Sequence, residues 1–292
     1  MKLGLFGVTM GRFAAPEVCA LAARTAEAAG YESIWTGEHV CLPDPRTKAS
    51  PLAPQHPTLD PVVAFAWLAA ATKTIRLGTG IVILPQRNPV VLAKELATLD
   101  VLSGGRLIFG LGVGYLPEEF AAIGVPFAER GPLTDENLAA IKALWTMEKP
   151  AFEGRFTRFS GIDAQPRPVQ KPHPPVVVGG WSEAAFRRAA RSANGWYGFS
   201  MDAAATAEHL ATLKRILAET DRPAALGPLE ISVSPPGRAA DAGSGKPGID
   251  LDEARRYRDL GVDRLIVHCL VRDAAEIPGD IEATAERLRP AL

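Results

Sequence analysis

The sequence is short of the features that mark most specialised protein classes. It has only three cysteines in 292 residues, Cys19, Cys41 and Cys269, far apart and with no CxxC pair. That scatter excludes a disulfide framework and a zinc knuckle, and it fits a reducing compartment. Charge of one sign is missing too: 32 Lys+Arg face 33 Asp+Glu, for a formal net charge of −1. With no basic stripe among the aromatics, no nucleic-acid partner is expected. No apolar run approaches the roughly 20 residues of a membrane span, so no membrane partner is expected either. The five histidines, at 39, 56, 173, 209 and 268, show no ligand spacing, and no metal is expected. There is no GxSxG elbow, phosphate-loop lysine motif or HExxH, which leaves nucleophilic catalysis without a candidate. The opening MKLGLFGVTMGRF is interrupted by Gly4, Gly7 and Arg12, and no cleavage site follows it. It reads as a buried first strand rather than a signal peptide, and the expected location is cytoplasmic.

What is present is an ordinary globular-enzyme composition, 47% hydrophobic and 22% charged, in which strand and helix signals alternate throughout. Residues 3–9 and 33–36 read as strands around a helix at 16–30, which Pro opens and Gly stops. A helix at 60–72 has Asp60 as N-cap and Pro61 at its first position. A strand at 75–84, a helix at 89–102 and a strand at 106–111 follow. A short helix at 117–123 precedes a longer one at 133–145, and 151–162 alternates around Gly154 as a small hairpin outside the main sheet. Strands at 175–178, 195–199, 229–234 and 264–267 then pair with helices at 182–192, 202–220, 251–261 and 280–288.

Eight strand–helix pairs without a linker-like break predict one α/β domain over 1–292. Its expected fold is a single (β/α)8 TIM barrel with insertions at the strand C-terminal ends. The rival, a doubly wound sheet with a cap domain, calls for a boundary that the sequence does not show. The irregular stretches 41–57 and 235–248 fall on the strand-exit side, where barrel enzymes place active-site loops. The second is expected to be weakly ordered without ligand.

Four short segments carry candidate chemistry. In 96–120, LATLDVLSGGRLIFGLGVGYLPEEF, a helix stops at Gly104-Gly105, and a buried strand leaves through Gly110, Gly112 and Gly114. It is not a dinucleotide fingerprint, because Pro117 replaces the third glycine and the strand is the fourth of eight. Thr36-Gly37-Glu38-His39 puts an acid and an imidazole at a strand exit, either as a reactive pair or as a solvated one. Gly78 and Gly80 inside a β-branched run signal a bulge or a close backbone approach, or a packing kink. Val176 to Glu183, VVVGGWSE, runs a buried strand through two glycines into a helix capped by Ser182, a ready phosphate site or a bare turn.

These pieces together resemble one family. TGEHV, GTGIVILPQRNPVVLAKELATLDVLSGGRL, GLGVGYLPEEFAAIGVPFAERG and VVVGGWSEAAFRRAAR match, in order, the luciferase-like monooxygenase superfamily, in its branch using the deazaflavin coenzyme F420. The resemblance spans essentially the whole chain. It implies a flavin or deazaflavin ring inside the barrel mouth and a non-prolyl cis peptide at or near Gly80-Ile81. It implies cofactor contacts from Thr79, Gly80, Ile81, Gly112, Val113 and Gly114, with the phosphate at Gly179, Gly180, Trp181 and Ser182. Glu38 and His39 fall where sugar-phosphate dehydrogenases of the branch carry an Asp-His pair, and they are the expected catalytic residues. Tyr115 stands where those dehydrogenases have a glutamate, which argues against a sugar-phosphate substrate; with Arg12 it is assigned to substrate binding. The implied activity is hydride transfer between F420 and a small organic substrate. The alternatives are an FMN-dependent monooxygenase using dioxygen and a non-catalytic flavin-binding protein. A homodimer is expected, formed through the helices at 60–72 and 89–102.

Overall fold

The computed structural model describes residues 1–237, 248–271 and 273–292. In chain order the strands are β1 (Lys2–Phe6), β2 (Ser33–Thr36), β3 (Arg76–Thr79), β4 (Val82–Ile83), β5 (Leu107–Gly112) and β6 (Phe152–Glu153). They continue as β7 (Arg158–Phe159), β8 (Val176–Gly179), β9 (Gly195–Phe199), β10 (Glu230–Ser234) and β11 (Arg264–His268). The helices are α1 (Pro16–Ala28), α2 (Pro61–Ala71), α3 (Pro89–Leu102), α4 (Pro117–Ala122) and α5 (Arg130–Thr146). After them come α6 (Glu183–Ser192), α7 (Ala203–Ala218), α8 (Leu251–Asp259) and α9 (Ile277–Leu288).

Parallel pairing runs β3–β2–β1–β11–β10–β9–β8–β5, and β5 returns to β3 through Leu77 opposite Leu107 and Gly78 opposite Ile108. β4 continues the line of β3 and pairs with the upper half of β5. With β3 and β4 counted as one interrupted strand, the nine-stranded sheet closes as eight parallel staves. This is the (β/α)8 barrel that the alternation predicts. The hairpin β6–β7 stands apart as its own two-stranded sheet.

The period of two along each strand divides the core. Leu3 and Leu5 face the helices and join the large outer core, whereas Phe6, Trp35, Ile108, Val177, Tyr197 and Ile266 fill the barrel. At the N-terminal end the barrel is plugged by Arg264, fully buried, whose Nε and Nη2 each donate to Glu32 at 2.9 Å. Its Nη1 donates to Glu230 and to Ser232 Oγ, and the guanidinium lies over the Trp35 ring at 5.5 Å. A buried guanidinium is tolerable only when its donors are satisfied in this way. The plugged end leaves the opposite mouth as the barrel's opening for a ligand.

The helix starts follow their caps. Asp60 accepts from the Val62 and Val63 amides at 3.0 Å, and Asn88 from those of Val90 and Val91 at 3.0 and 3.2 Å. Several boundaries differ from the sequence reading. β1 ends at Phe6, because Val8 and Thr9 leave the sheet to meet the 57–59 segment, where the Leu59 amide donates to the Thr9 carbonyl. The strand read at 75–84 breaks at residues 80–81, and α9 begins three residues before 280. The loop read as weakly ordered falls largely at 238–247, outside the described residues. Among the described residues no helix is long and apolar enough to cross a membrane.

Candidate active site

The site grows from the break in the third stave. The Gly80 amide donates to the Thr36 carbonyl at 2.7 Å, and the Gly80–Ile81 peptide is cis, as the resemblance implies. Ile81 then throws its side chain across the ends of β5 and β8. A Cβ at Gly112 or at Gly179 would lie 2.8 Å from it, closer than real Cβ contacts allow. Glycine at both positions is what lets Ile81 lie flat there, as a platform packed against the barrel's own filling. Thr79, read as a cofactor contact, is fully buried in the wall; its Oγ1 donates to the Gly110 carbonyl at 2.6 Å and accepts from the Gly110 amide at 2.8 Å.

Gly112, Val113 and Gly114 carry the chain from β5 to Tyr115, and Tyr115 meets the β2 exit. Its hydroxyl lies 3.3 Å from Nε2 of His39, with the two rings perpendicular and their centroids 5.9 Å apart. On the other side of the imidazole, Nδ1 lies 3.2 Å from Oε2 of Glu119, in the first turn of α4. The other oxygen of Glu119 accepts from the Cys41 amide at 3.4 Å. Glu119 is 1% exposed and Tyr115 50%, so the three groups run from the interior to the opening. Burial, with the Glu119 charge adding to it, pushes the Tyr115 hydroxyl up to about 12.

Glu38 and His39 share no partner. The Glu38 carboxylate accepts from the Ile83 amide at 2.6 Å and from Nε of Arg87 at 2.9 Å, and Arg87 also pairs with Asp60. Burial pushes the Glu38 carboxyl up against the pull of Arg87. The pair read together at the strand exit therefore divides. His39 joins the set at the opening, and Glu38 braces β4.

At the β8 exit, Gly180 takes φ +124°, a conformation that side chains rarely adopt, and Trp181 is half-exposed. Ser182 caps α6, its Oγ accepting from the Ala185 amide at 3.2 Å. The earlier amides of that first turn have no partner within the helix and face outward. Glu183 would repel an anion there, but Arg187 at 3.1 Å and Arg215 at 2.6 Å hold its carboxylate, bonds that also lower its pKa. The donors suit a phosphate, and the bare ends of β5 and β8 let the Ile81 side chain lie as a flat apolar surface on which a planar ring could stack. These residues fit a phosphate-bearing flavin or deazaflavin.

The far side of the mouth is aromatic. Phe6 lies 5.1 Å from both Phe199 and His268 by ring centroid. His268 Nε2 is 2.9 Å from Ser234 Oγ, and burial holds its pKa down to about 4, so the ring is neutral at pH 7. Arg12, read as a substrate contact, is exposed and donates to the Cys269 carbonyl at 2.8 Å; it shares no partner with Tyr115. Among the described residues no cluster of histidine, cysteine and acidic side chains could hold a metal ion. Sequence reasoning missed Glu119, Arg87 and the Ser234–His268 pair. Only Glu119 carried a signal, as an acid in the first turn of a helix just after the glycine exit.

Comparison with known proteins agrees with this geometry. The model of the luciferase-like monooxygenase family matches residues 9–241. An uncharacterised protein of Mycobacterium tuberculosis is 39% identical over 205 residues, 67% of this chain and 71% of that one. An FMNH2-dependent dimethylsulfone monooxygenase of Pseudomonas putida is 38% identical over 133 residues, 44% of this chain and 36% of that one. Among solved structures, the monooxygenase RslO1 of Streptomyces bottropensis superposes with a TM-score of 0.79 at 26% identity, covering 99% of both chains. An F420-dependent secondary alcohol dehydrogenase, in complex with an F420–acetone adduct, gives 0.76 at 17% identity over 99% of this chain and 98% of that one. At that identity it speaks for the fold alone. A match over most of the chain, a closed barrel and a broken third stave at its mouth lead to one conclusion: the chain belongs to the luciferase-like monooxygenase family.

Proposed function

We propose that the protein is an F420-dependent oxidoreductase that moves a hydride between the deazaflavin and a small organic substrate. The observation that carries this reading is the imidazole–phenol pair of His39 and Tyr115 at the exits of β2 and β5, the strands that flank the broken third stave. Hydride transfer to or from a carbonyl carbon must be matched by a proton at its oxygen, and this pair can hold and move that proton. The cofactor, when bound, supplies the hydride chemistry. Gly80, Ile81, Gly112, Val113 and Gly114 would shape its ring slot, with Thr79 supporting them from behind. Gly179, Gly180, Trp181 and Ser182 would take its phosphate. Tyr115 would contact the substrate, and Glu38 holds the slot in shape rather than reacting.

A second reading, an FMN-dependent monooxygenase using dioxygen, is favoured by the relative from Pseudomonas putida, whose name specifies FMNH2. Titration of the purified protein with F420 and with FMN, followed by turnover assays, separates the two. Tight F420 binding with alcohol or ketone turnover supports the first reading. Selective FMN binding with oxygen-dependent substrate loss replaces it with the second. Binding without turnover, together with tolerance of His39→Ala, leaves a carrier.

The same reading includes a homodimer through α2 and α3. Val63, Trp67 and Val91 are each more than half exposed on those helices, an apolar face that a second copy would cover. Sedimentation of wild type against Trp67→Lys tests it: a dimer that becomes a monomer is expected, and a monomeric wild type rules it out.

A further inference from the structure

Glu119 is one of the few acids buried almost completely, and it pairs with no Lys or Arg among the described residues. Its two oxygens face N–H donors: the Cys41 amide and Nδ1 of the imidazole. An ionised carboxylate only accepts, so the proton between Glu119 and His39 must sit on Nδ1. A neutral imidazole carries one N–H, and its Nε2 is then left with a lone pair. The group facing that lone pair is the Tyr115 hydroxyl, at 3.3 Å. The phenol can donate to Nε2 while its oxygen accepts from outside. Carboxylate, imidazole and phenol thus form one directional chain of rising exposure, with the half-exposed phenol at its outer end.

We propose that Glu119 is a positioning residue that fixes His39 as the Nδ1–H form, and that the Tyr115 hydroxyl is therefore the catalytic group exchanging a proton with the substrate. The proposal rests on the oxidoreductase reading above. In the direction of alcohol oxidation, the substrate O–H gives its proton to the Tyr115 oxygen, and the Tyr115 proton moves to Nε2 of His39. As the carbonyl double bond forms, the C–H electron pair would leave as the hydride that the deazaflavin, when bound, would accept. His39 is left as an imidazolium facing the Glu119 carboxylate. Reduction runs the same transfers backwards, so atoms and charge balance in both directions. A hydroxyl at the end of the chain also explains why a tyrosine serves at position 115. Its proton is released only when Nε2 can take it, so phenol and imidazole both stay neutral until a substrate is seated.

The test has two arms. In the first, nitrogen NMR of 15N-histidine-labelled protein without cofactor reads which ring nitrogen of His39 carries the proton, with His39→Gln used for assignment. Protonated Nδ1 and unprotonated Nε2 are expected in wild type. In Glu119→Gln, whose amide can also donate, that preference is expected to weaken or reverse, and Glu119→Asp is expected to restore it in part. A His39 protonated at Nε2 in wild type, or a Glu119→Gln protein with the wild-type form, overturns the positioning role. The second arm measures F420 binding and turnover. Tyr115→Phe, at an exposed position that threatens no core, is expected to keep cofactor affinity and lose about 100-fold or more in kcat. Turnover within a few-fold of wild type overturns the role of Tyr115. If wild type binds no F420, the oxidoreductase reading fails, and with it the proton exchange, whereas the NMR arm still decides the orientation of His39.

Discussion

Oε2 of Glu38 accepts from the backbone amide of Ile83 at 2.6 Å, so a side chain from the second stave pins the first residues after the break in the third. Its other oxygen holds Arg87, which in turn reaches Asp60, the N-cap of α2. Four segments meet at one nearly buried carboxylate. Glu38→Ala leaves both the Ile83 amide and a partly buried guanidinium short of an acceptor. A loss of about 3 kcal/mol is expected, with Asp60 retaining part of the pairing. Urea denaturation reads it directly, and an unchanged midpoint contradicts the bracing role.

His39→Ala is expected to bind cofactor as wild type does, because neither the ring slot nor the α6 terminus involves the imidazole. Turnover should fall by about 100- to 10,000-fold. Near-normal turnover would sink the assignment of the proton path.

Gly179→Ala tests the platform. The new Cβ meets Ile81 at 2.8 Å, so the Ile81 side chain must shift. Overpacking of this kind costs about 1–3 kcal/mol. If the cost falls on the bound state, cofactor affinity drops by roughly 5- to 150-fold. A binding isotherm superimposable on wild type would show that the ring does not rest there.

Acid should weaken the fold through His268. Burial holds its pKa down to about 4 in the folded protein, against 6.5 for an ordinary imidazole. Between those values the unfolded chain binds a proton that the folded chain refuses. Stability is therefore full above about pH 6.5 and is lost as pH falls toward about 4, by at most about 1.4 kcal/mol per pH unit. Burial lowers His56 and His173 as well, so the test is a difference: His268→Gln should show a shallower acid limb than wild type. Parallel limbs would place the acid sensitivity elsewhere.

The barrel was legible because its signals are local. Proline, Asp, Asn or Ser at most helix starts, glycine after several helix ends and the buried runs between them each need only neighbouring residues to be read. The glycine turn and the Ser182 cap at the start of α6 are legible for the same reason. The reactive set was legible only in part. Glu38 and His39 are adjacent in sequence and line one pocket, yet their partners come from different segments, Ile83 and Arg87 for one and Glu119 and Tyr115 for the other, and nothing in TGEHV announces that division. Glu119 lies 80 residues from His39, and no local pattern links a first-turn acid to an imidazole on a different stave. The family resemblance implies a cofactor contact from Thr79, yet its hydroxyl faces the neighbouring strand. Position along the chain gave the neighbourhood, and side-chain direction decided the partner.

That hydroxyl has a consequence for the barrel as a closed object. The third stave meets β5 by backbone pairing below the break, at Leu107 and Ile108, and again above it, at Leu111 and Gly112. At the gap, the amide and carbonyl of Gly110 are both served by Thr79 Oγ1. One side-chain oxygen thus rivets the seam where the sheet's own stitching stops. Thr79→Val keeps the shape and removes the rivet, which orphans two backbone groups of Gly110 at about 1–3 kcal/mol each. Hydrogen exchange should then report opening along β5 ahead of the rest of the barrel, and uniform protection would show that the seam holds without it. A closed cylinder usually has no weak line, but this one has a gap in its ladder that a single side chain bridges.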